Sequence, residues 1–144
     1  MYAPLKQKLL LTSAPTSAQS HTAVIDTLSY DRLSLGIGFS TVAETTPEIT
    51  LKLGEGDTTS SFTDIDVFVA GGVGGFTKPT PPTNTSVANT MQFDVDLRTR
   101  KRYLLLTVTP FTTKTVTSWA TLGRPDQGPP ATASVEGLMA RVGG

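Results

Sequence analysis

Arg32-Leu33-Ser34-Leu35-Gly36-Ile37-Gly38-Phe39 decides the fold class, because every odd position is apolar and every even one is small or polar. Side chains alternate between the two faces of a strand, so this run predicts a half-buried strand with Leu33, Leu35, Ile37 and Phe39 facing inward. Working outward, Glu48–Leu53 repeats the alternation, as do Ile65, Val67 and Val69, and Met91–Leu97 with Gln92, Asp94 and Asp96 on the wet face. Tyr103–Thr109 is more continuously apolar and is expected to be a central strand covered on both sides. Weaker strands are predicted at Lys6–Leu11, Ala23–Leu28 and Lys114–Thr121.

Turn formers separate these runs: Gly54-Glu55-Gly56-Asp57, Gly71-Gly72-Val73-Gly74-Gly75, and the proline segment Lys78–Asn84, which cannot donate ladder hydrogen bonds. Threonine, with 25 copies, is the commonest residue. Its branched side chain is stiff and packs well on a pleated surface. No long window before the final residues has helical spacing, and no internal repeat is evident. Seven or eight short strands of this kind predict an all-β fold, an antiparallel β-sandwich or jelly-roll-like barrel. Residues 21–122 are expected to form that body. Residues 1–20 are expected to be an arm or an edge strand.

From Gly123 onward the text is poor in charge, carries three prolines and lacks strand period, so it cannot order itself alone. Residues 123–144 are read as an extended arm, either frayed or lying on a neighbour with Val135, Leu138, Met139 and Val142 as apolar grips.

Composition excludes much chemistry. Twelve Lys+Arg balance twelve Asp+Glu, which argues against a protein devoted to nucleic acid or an anionic membrane surface. The absence of cysteine rules out a disulfide framework, a thiolate nucleophile and cysteine-ligated metal. Leu9-Leu10-Leu11 is far shorter than the roughly 7–15-residue core of a secretory signal. No stretch approaches the roughly 20 apolar residues of a membrane span. The expectation is a protein made in a cytoplasm, with no cofactor, no metal and no enzymatic activity.

The nominal reactive groups are thin. His21 with Asp26 lacks any nucleophile elbow, and His21 is read as a solvated loop residue. Asp64/Asp66 and Asp94/Asp96 each place two carboxylates on one strand face, which could hold a divalent cation or serve acid/base work, but a wet strand face normally carries charges and no third ligand is suggested locally, so they are read as solvated-face residues. The glycine run 71–75 lacks the Gly-Lys-Ser/Thr ending of a phosphate loop and is read as a flexible loop. Arg98, Arg100, Lys101 and Arg102 put four cations in five residues. They are read as paired within the molecule or docked on an acidic partner, with an ordinary solvated loop as the next alternative and a nucleic-acid patch as the least. Trp119 is the one plausible ring for stacking a glycan.

Three segments resemble a known family. Val24-Ile25-Asp26-Thr27 with Tyr30-Asp31 and Ser34 resembles the "V-I-D-T-x-x-Y-D-x-x-S-I" text of small tailed-bacteriophage virion proteins. Leu51–Asp57 with Ser61–Ile65 resembles their "L-K-L-x-E-S-D … S-F-T-D-I" hairpin. Phe93–Leu104 is similar to their "F-x-V-D-L-R-G-R-K-R-Y-L" segment. The likeness covers roughly residues 23–110. Two departures are Thr99 in place of Gly and a longer Gly/Pro stretch over 71–84.

Within that group the resemblance points to the capsid decoration, or cement, proteins. It implies a β-sandwich that binds the major capsid protein on the outside of an icosahedral shell, often as a homotrimer, and strengthens it. On that expectation the protein resides on the virion exterior. Arg98, Arg100, Lys101, Arg102 and the terminal arms then contact the shell. Two other readings compete: a carbohydrate-binding sandwich displayed on a particle, using Trp119, and a hydrolase using one of the aspartate pairs. A tail or baseplate position suits the same fold.

Overall fold

The structure is a computed structural model that describes residues 6–13, 19–39, 50–78, 90–109, 115–123 and 140–143. Among them, the strands are β1 (Lys6–Ser13), β2 (His21–Asp26), β3 (Arg32–Phe39), β4 (Thr50–Gly56), β5 (Thr63–Val69), β6 (Thr90–Asp96), β7 (Tyr103–Thr109), β8 (Val116–Gly123) and β9 (Ala140–Gly143). A single 3₁₀ turn covers Leu97–Thr99.

Five strands form one sheet in the order β1-β8-β3-β6-β9, and four form the other in the order β2-β7-β4-β5. The pairing explains the order. β1 pairs with β8, β2 with β7, β3 with β6 and β4 with β5, all antiparallel. That is one long ribbon folded back between β4 and β5. Rolling the ribbon brings β3 against β8 and β4 against β7, which closes the two sheets. The result is a jelly roll, and the sandwich expected from the alternation is what forms.

The inward row of β3 behaves as its period predicts: Leu33, Leu35 and Ile37 are fully buried and Phe39 nearly so. Met91, Phe93 and Val95 supply the neighbouring row from β6, and Leu104, Leu106 and Val108 face them from β7 in the other sheet. Phe93 is central. Its ring lies 5.2 Å from Phe68 of the opposite sheet, tilted by 53°, and 5.5 Å from Phe76, which meets it edge-on. These are favourable aromatic geometries that add to the area buried.

Three expectations need correction. On β5 the buried residues are Ile65 and Phe68, while Val67 and Val69 are half-exposed. The cause is a register shift against β4, where Lys52 opposes Val69 but Gly54 opposes Asp64. Extra residues on one strand change which side chains point inward. β7 is central in its sheet, but Leu105 and Thr107 are only half-buried, so its outer face is not covered. Finally, the glycine run is a tight turn rather than a loose loop. Gly71 N–H donates to the Phe76 carbonyl at 2.8 Å, and Gly71 and Gly74 have φ of 73° and 78°. At Gly75 a Cβ would sit 1.9 Å from the Val69 carbonyl oxygen, so only glycine fits there.

The chain ends also differ from simple arms. β1 is the edge strand allowed for residues 1–20. At the other end, β9 runs parallel to β6 and extends the sheet, pairing Phe93 with Val142. Val142 is 8% exposed and belongs to the core, so it does not serve as a grip on a neighbour. Val135, Leu138 and Met139 lie outside the described residues.

Replacing Phe93 by Ala empties the contact between the sheets on both its aromatic sides. A loss of about 3–5 kcal/mol is expected, read as a lower urea midpoint with an unchanged slope.

Candidate interaction surfaces

The connections β2–β3, β4–β5 and β6–β7 all lie at one end of the sandwich, and the basic run sits among them. Each of its cations meets a carboxylate of this same chain. Arg102 grips Asp26 through two bonds, Nε to Oδ1 at 2.9 Å and a terminal nitrogen to Oδ2 at 2.8 Å. Its guanidinium also stands 4.8 Å from the centre of the Tyr103 ring. Lys101 Nζ donates to Asp57 at 2.6 Å, while the Lys101 backbone N–H donates to Glu55 at 3.0 Å. Arg100 approaches the other Glu55 oxygen at 3.8 Å. Arg98 closes on Asp96, whose carboxylate also accepts the Arg98 backbone N–H and so caps the 3₁₀ turn.

Backbone bonds complete the tie. The Arg102 carbonyl accepts from both the N–H and the hydroxyl of Thr27, at 3.0 and 2.7 Å. Asp31 uses its carbonyl for Leu97 N–H and its own N–H for the Gly123 carbonyl. The β2–β3 turn itself is set by Asp26, which accepts from Leu28 N–H, and by Ser29 at φ 71°. Ser29 is the one non-glycine residue with positive φ among the described residues, so Thr99 needs no glycine.

The charges respond to this pairing. The Arg102 hydrogen bond, aided by Leu28 N–H, holds the Asp26 carboxyl down at about 2. Arg98 likewise holds the Asp96 carboxyl well below the usual range. Lys101 and Arg102 are each raised, chiefly by the hydrogen bond to their carboxylate partners. The alternative of intramolecular pairing therefore describes Arg98, Arg100, Lys101 and Arg102, and they do not form a free cationic patch for the shell or for nucleic acid.

The other nominal sites are absorbed as well. Lys52 Nζ donates to Asp64 at 2.8 Å, and Gln92 donates its amide to Asp94 at 2.9 Å. Asp96 is the cap just described. His21 opens β2 opposite Val108, and its Nε2 is buried without a partner, so it is a strand residue and not the solvated loop residue expected. Asp26 is committed to Arg102. Among the described residues no group of three or more His, Asp or Glu is placed to hold a metal. Among the same residues no helix is long and apolar enough to cross a membrane.

Trp119 lies on the outward face of β8. A Cβ at Gly36, its neighbour in register on β3, would fall 2.2 Å from the indole, and one at Gly38 would fall 3.6 Å away. The ring thus covers the bare backbone of β3 while 37% of the residue stays exposed. On its other side the in-register neighbour is Leu9 of β1, 64% exposed. Leu9 had no signal in the sequence, since the leucine run 9–11 gives no way to choose which member points out. The acidic partners Glu55 and Asp57 were equally unmarked, because they lie at and just after the end of β4, more than forty residues from the cations they meet.

Compared with known proteins, the chain matches no protein-family model, and no curated protein matches it.

The Asp26–Arg102 pair has a defined pH signature. A carboxyl held at about 2 contributes stability above its unfolded value near 4, and that contribution is lost as pH falls through about 2. Wild type is expected to melt above Asp26→Asn at pH 6–7, by less than about 1 kcal/mol because the pair is exposed. The gap should close as pH drops from 4 to 2; a gap that is constant with pH would mean that the carboxylate charge is not what matters.

Proposed function

We propose that this chain is a structural virion protein that decorates the outside of a phage capsid and stabilises it by binding the shell of major capsid protein. One observation carries the reading. The three segments that resemble virion-protein text each span one of the three connections at the paired end, β2–β3, β4–β5 and β6–β7. Moreover, the residues shared with that text are the ones that hold those connections together. Asp26 and Thr27 meet Arg102, Asp31 meets Leu97, Glu55 and Asp57 meet Lys101, Lys52 meets Asp64, and Asp96 meets Arg98. A likeness made of mutually contacting residues from three separate segments supports kinship better than matches scattered along a chain.

The jelly roll suits the role, since shells and their attachments use this fold, though fold alone assigns no function. A rigid body that holds neighbouring capsomers acts through many weak contacts, each new one intramolecular once the first has formed. Because the basic run is already neutralised, the shell-facing surface in this proposal is the opposite end, where β3 ends at Phe39, β5 at Val69 and β7 at Thr109, and where the glycine turn follows β5. Val73, at the tip of the glycine turn and 99% exposed, belongs to that end. Self-association, as a trimer, is part of the proposal, as is residence on the virion exterior.

The test is co-sedimentation of the purified chain with expanded empty shells of its phage. Saturable binding and a higher rupture temperature are expected. Arg98→Ala with Lys101→Ala should leave occupancy within about twofold, since exposed paired charges contribute little. Val73→Asp should lower it. Failure of wild type to bind shells, or its recovery from purified tails rather than heads by mass spectrometry, would refute the proposal.

A further inference from the structure

Apart from Asp96 at its margin, the outer face of the five-stranded sheet has no part in the tied end or the core, and over its middle strand lies the indole of Trp119. We propose that this face binds neutral carbohydrate, with the exposed side of the Trp119 ring stacking on a sugar ring and the hydroxyl, amide and carboxylate groups around it binding sugar hydroxyls.

The geometry of the ring comes first. The indole rests on Gly36 so closely that any side chain there would collide with it, and Gly38 is bare beneath its far edge. The backbone below fixes the ring, and one side of it remains open to solvent. A fixed aromatic plane loses little freedom when a ligand stacks on it, and an indole offers both an apolar surface and a donor N–H.

The neighbours then select the ligand class. In register across the sheet, Trp119 faces Gly36, and Gly36 faces Gln92. One row further along stand Thr121, Ser34 and Asp94, again in register. Ser34, Gln92, Asp94 and Thr121 are half-buried, and Gln92 and Asp94 are already linked by the 2.9 Å amide bond. Short hydroxyls with an amide–carboxylate pair beside an aromatic plane match a polyhydroxylated ring that has apolar C–H faces and polar edges.

Two other classes fit worse. Single-stranded nucleic acid stacks on aromatics too, but it needs a run of cations along its backbone, and Ser34, Gln92, Asp94 and Thr121 bring none. The cations of these rows stand apart from one another, Arg141 in register with Gln92 on β9 and Arg32 beyond Ser34 on β3. A protein partner of stable affinity needs a larger apolar centre than an indole and the adjoining Leu9 provide. The site is open and flat, so binding is expected to be weak per copy, with dissociation constants on the order of millimolar. Many copies on one particle would multiply it. Sugar binding by the isolated chain does not depend on whether the chain sits on a shell.

The test uses a convenient property of the sequence: Trp119 is the only tryptophan, so its fluorescence reports this face alone. The full chain is titrated with neutral cello-, malto-, xylo- and chito-oligosaccharides, with single-stranded DNA and protein dilution as comparison arms. A saturable blue shift with at least one neutral sugar is expected. Calorimetry should show that binding lost in Trp119→Ala, and weakened about tenfold in Gln92→Ala, whose unchanged free emission maximum would show the indole still seated. Absence of any shift across the sugar series overturns the proposal. So does a shift produced by DNA alone, or one that follows protein concentration without sugar, which would mean that a second copy covers the face. Equal sugar affinity of wild type and Trp119→Ala overturns it as well.

Discussion

A rolled ribbon holds its shape only if its two sheets stay pressed together, and here that depends on Phe93 meeting Phe68. The two rings come from different sheets, and Phe76 closes the third side. Around them the inward rows of β3, β6 and β7 lose nearly all contact with water. Burial of that apolar area is the dominant favourable term in a domain of this size. Everything outside the core, including the charged turns and the indole platform, is carried on a body that this contact keeps closed.

The two ends of that body are built on different principles. At one end the connections are short and tied to one another by ion pairs and by backbone bonds from Thr27, Asp31 and Lys101. Exposed ion pairs of this sort contribute little stability individually. Their role is geometric: each cation of the run has one particular carboxylate to meet, so the turn over 97–102 has one way to lie. At the other end the described part of the connection after β5 is a glycine turn that raises a bare valine.

Period 2 made the strands legible because a sandwich strand has one wet and one dry face; β6 follows that rule from end to end, and β3 departs from it only at Gly36, which the indole covers. The rule failed on β5 because alternation is a statement about register, and the irregular pairing with β4 breaks register in the middle of the strand. Phe68 was therefore missed as a core residue. Val142 was missed for another reason: a four-residue parallel strand has too short a period to read, and its partner lies almost fifty residues earlier. At the tied end the basic run was legible as a charge feature, and its pairing was foreseen as an alternative. The identities of Asp26, Glu55 and Asp57 were not, since they lie at or just after the ends of β2 and β4, which only the roll brings beside the basic run. Trp119 stood out by composition alone, but that it lies on Gly36 follows from the β3–β8 register, which no local pattern encodes.

That register has a consequence for how one surface can serve two ends. β3 is both the most regular core strand and the strand with two glycines on its outer face, so the same eight residues that seal the sandwich also clear the floor beneath the indole. A larger residue at Gly36 would leave the inward row of β3 untouched and yet lift the ring away. Stability and surface recognition are therefore separable on this strand, because alternate residues answer to different faces. Glycine weakens a strand, and at position 36 its physical compensation is the close approach of the indole, which any Cβ would block.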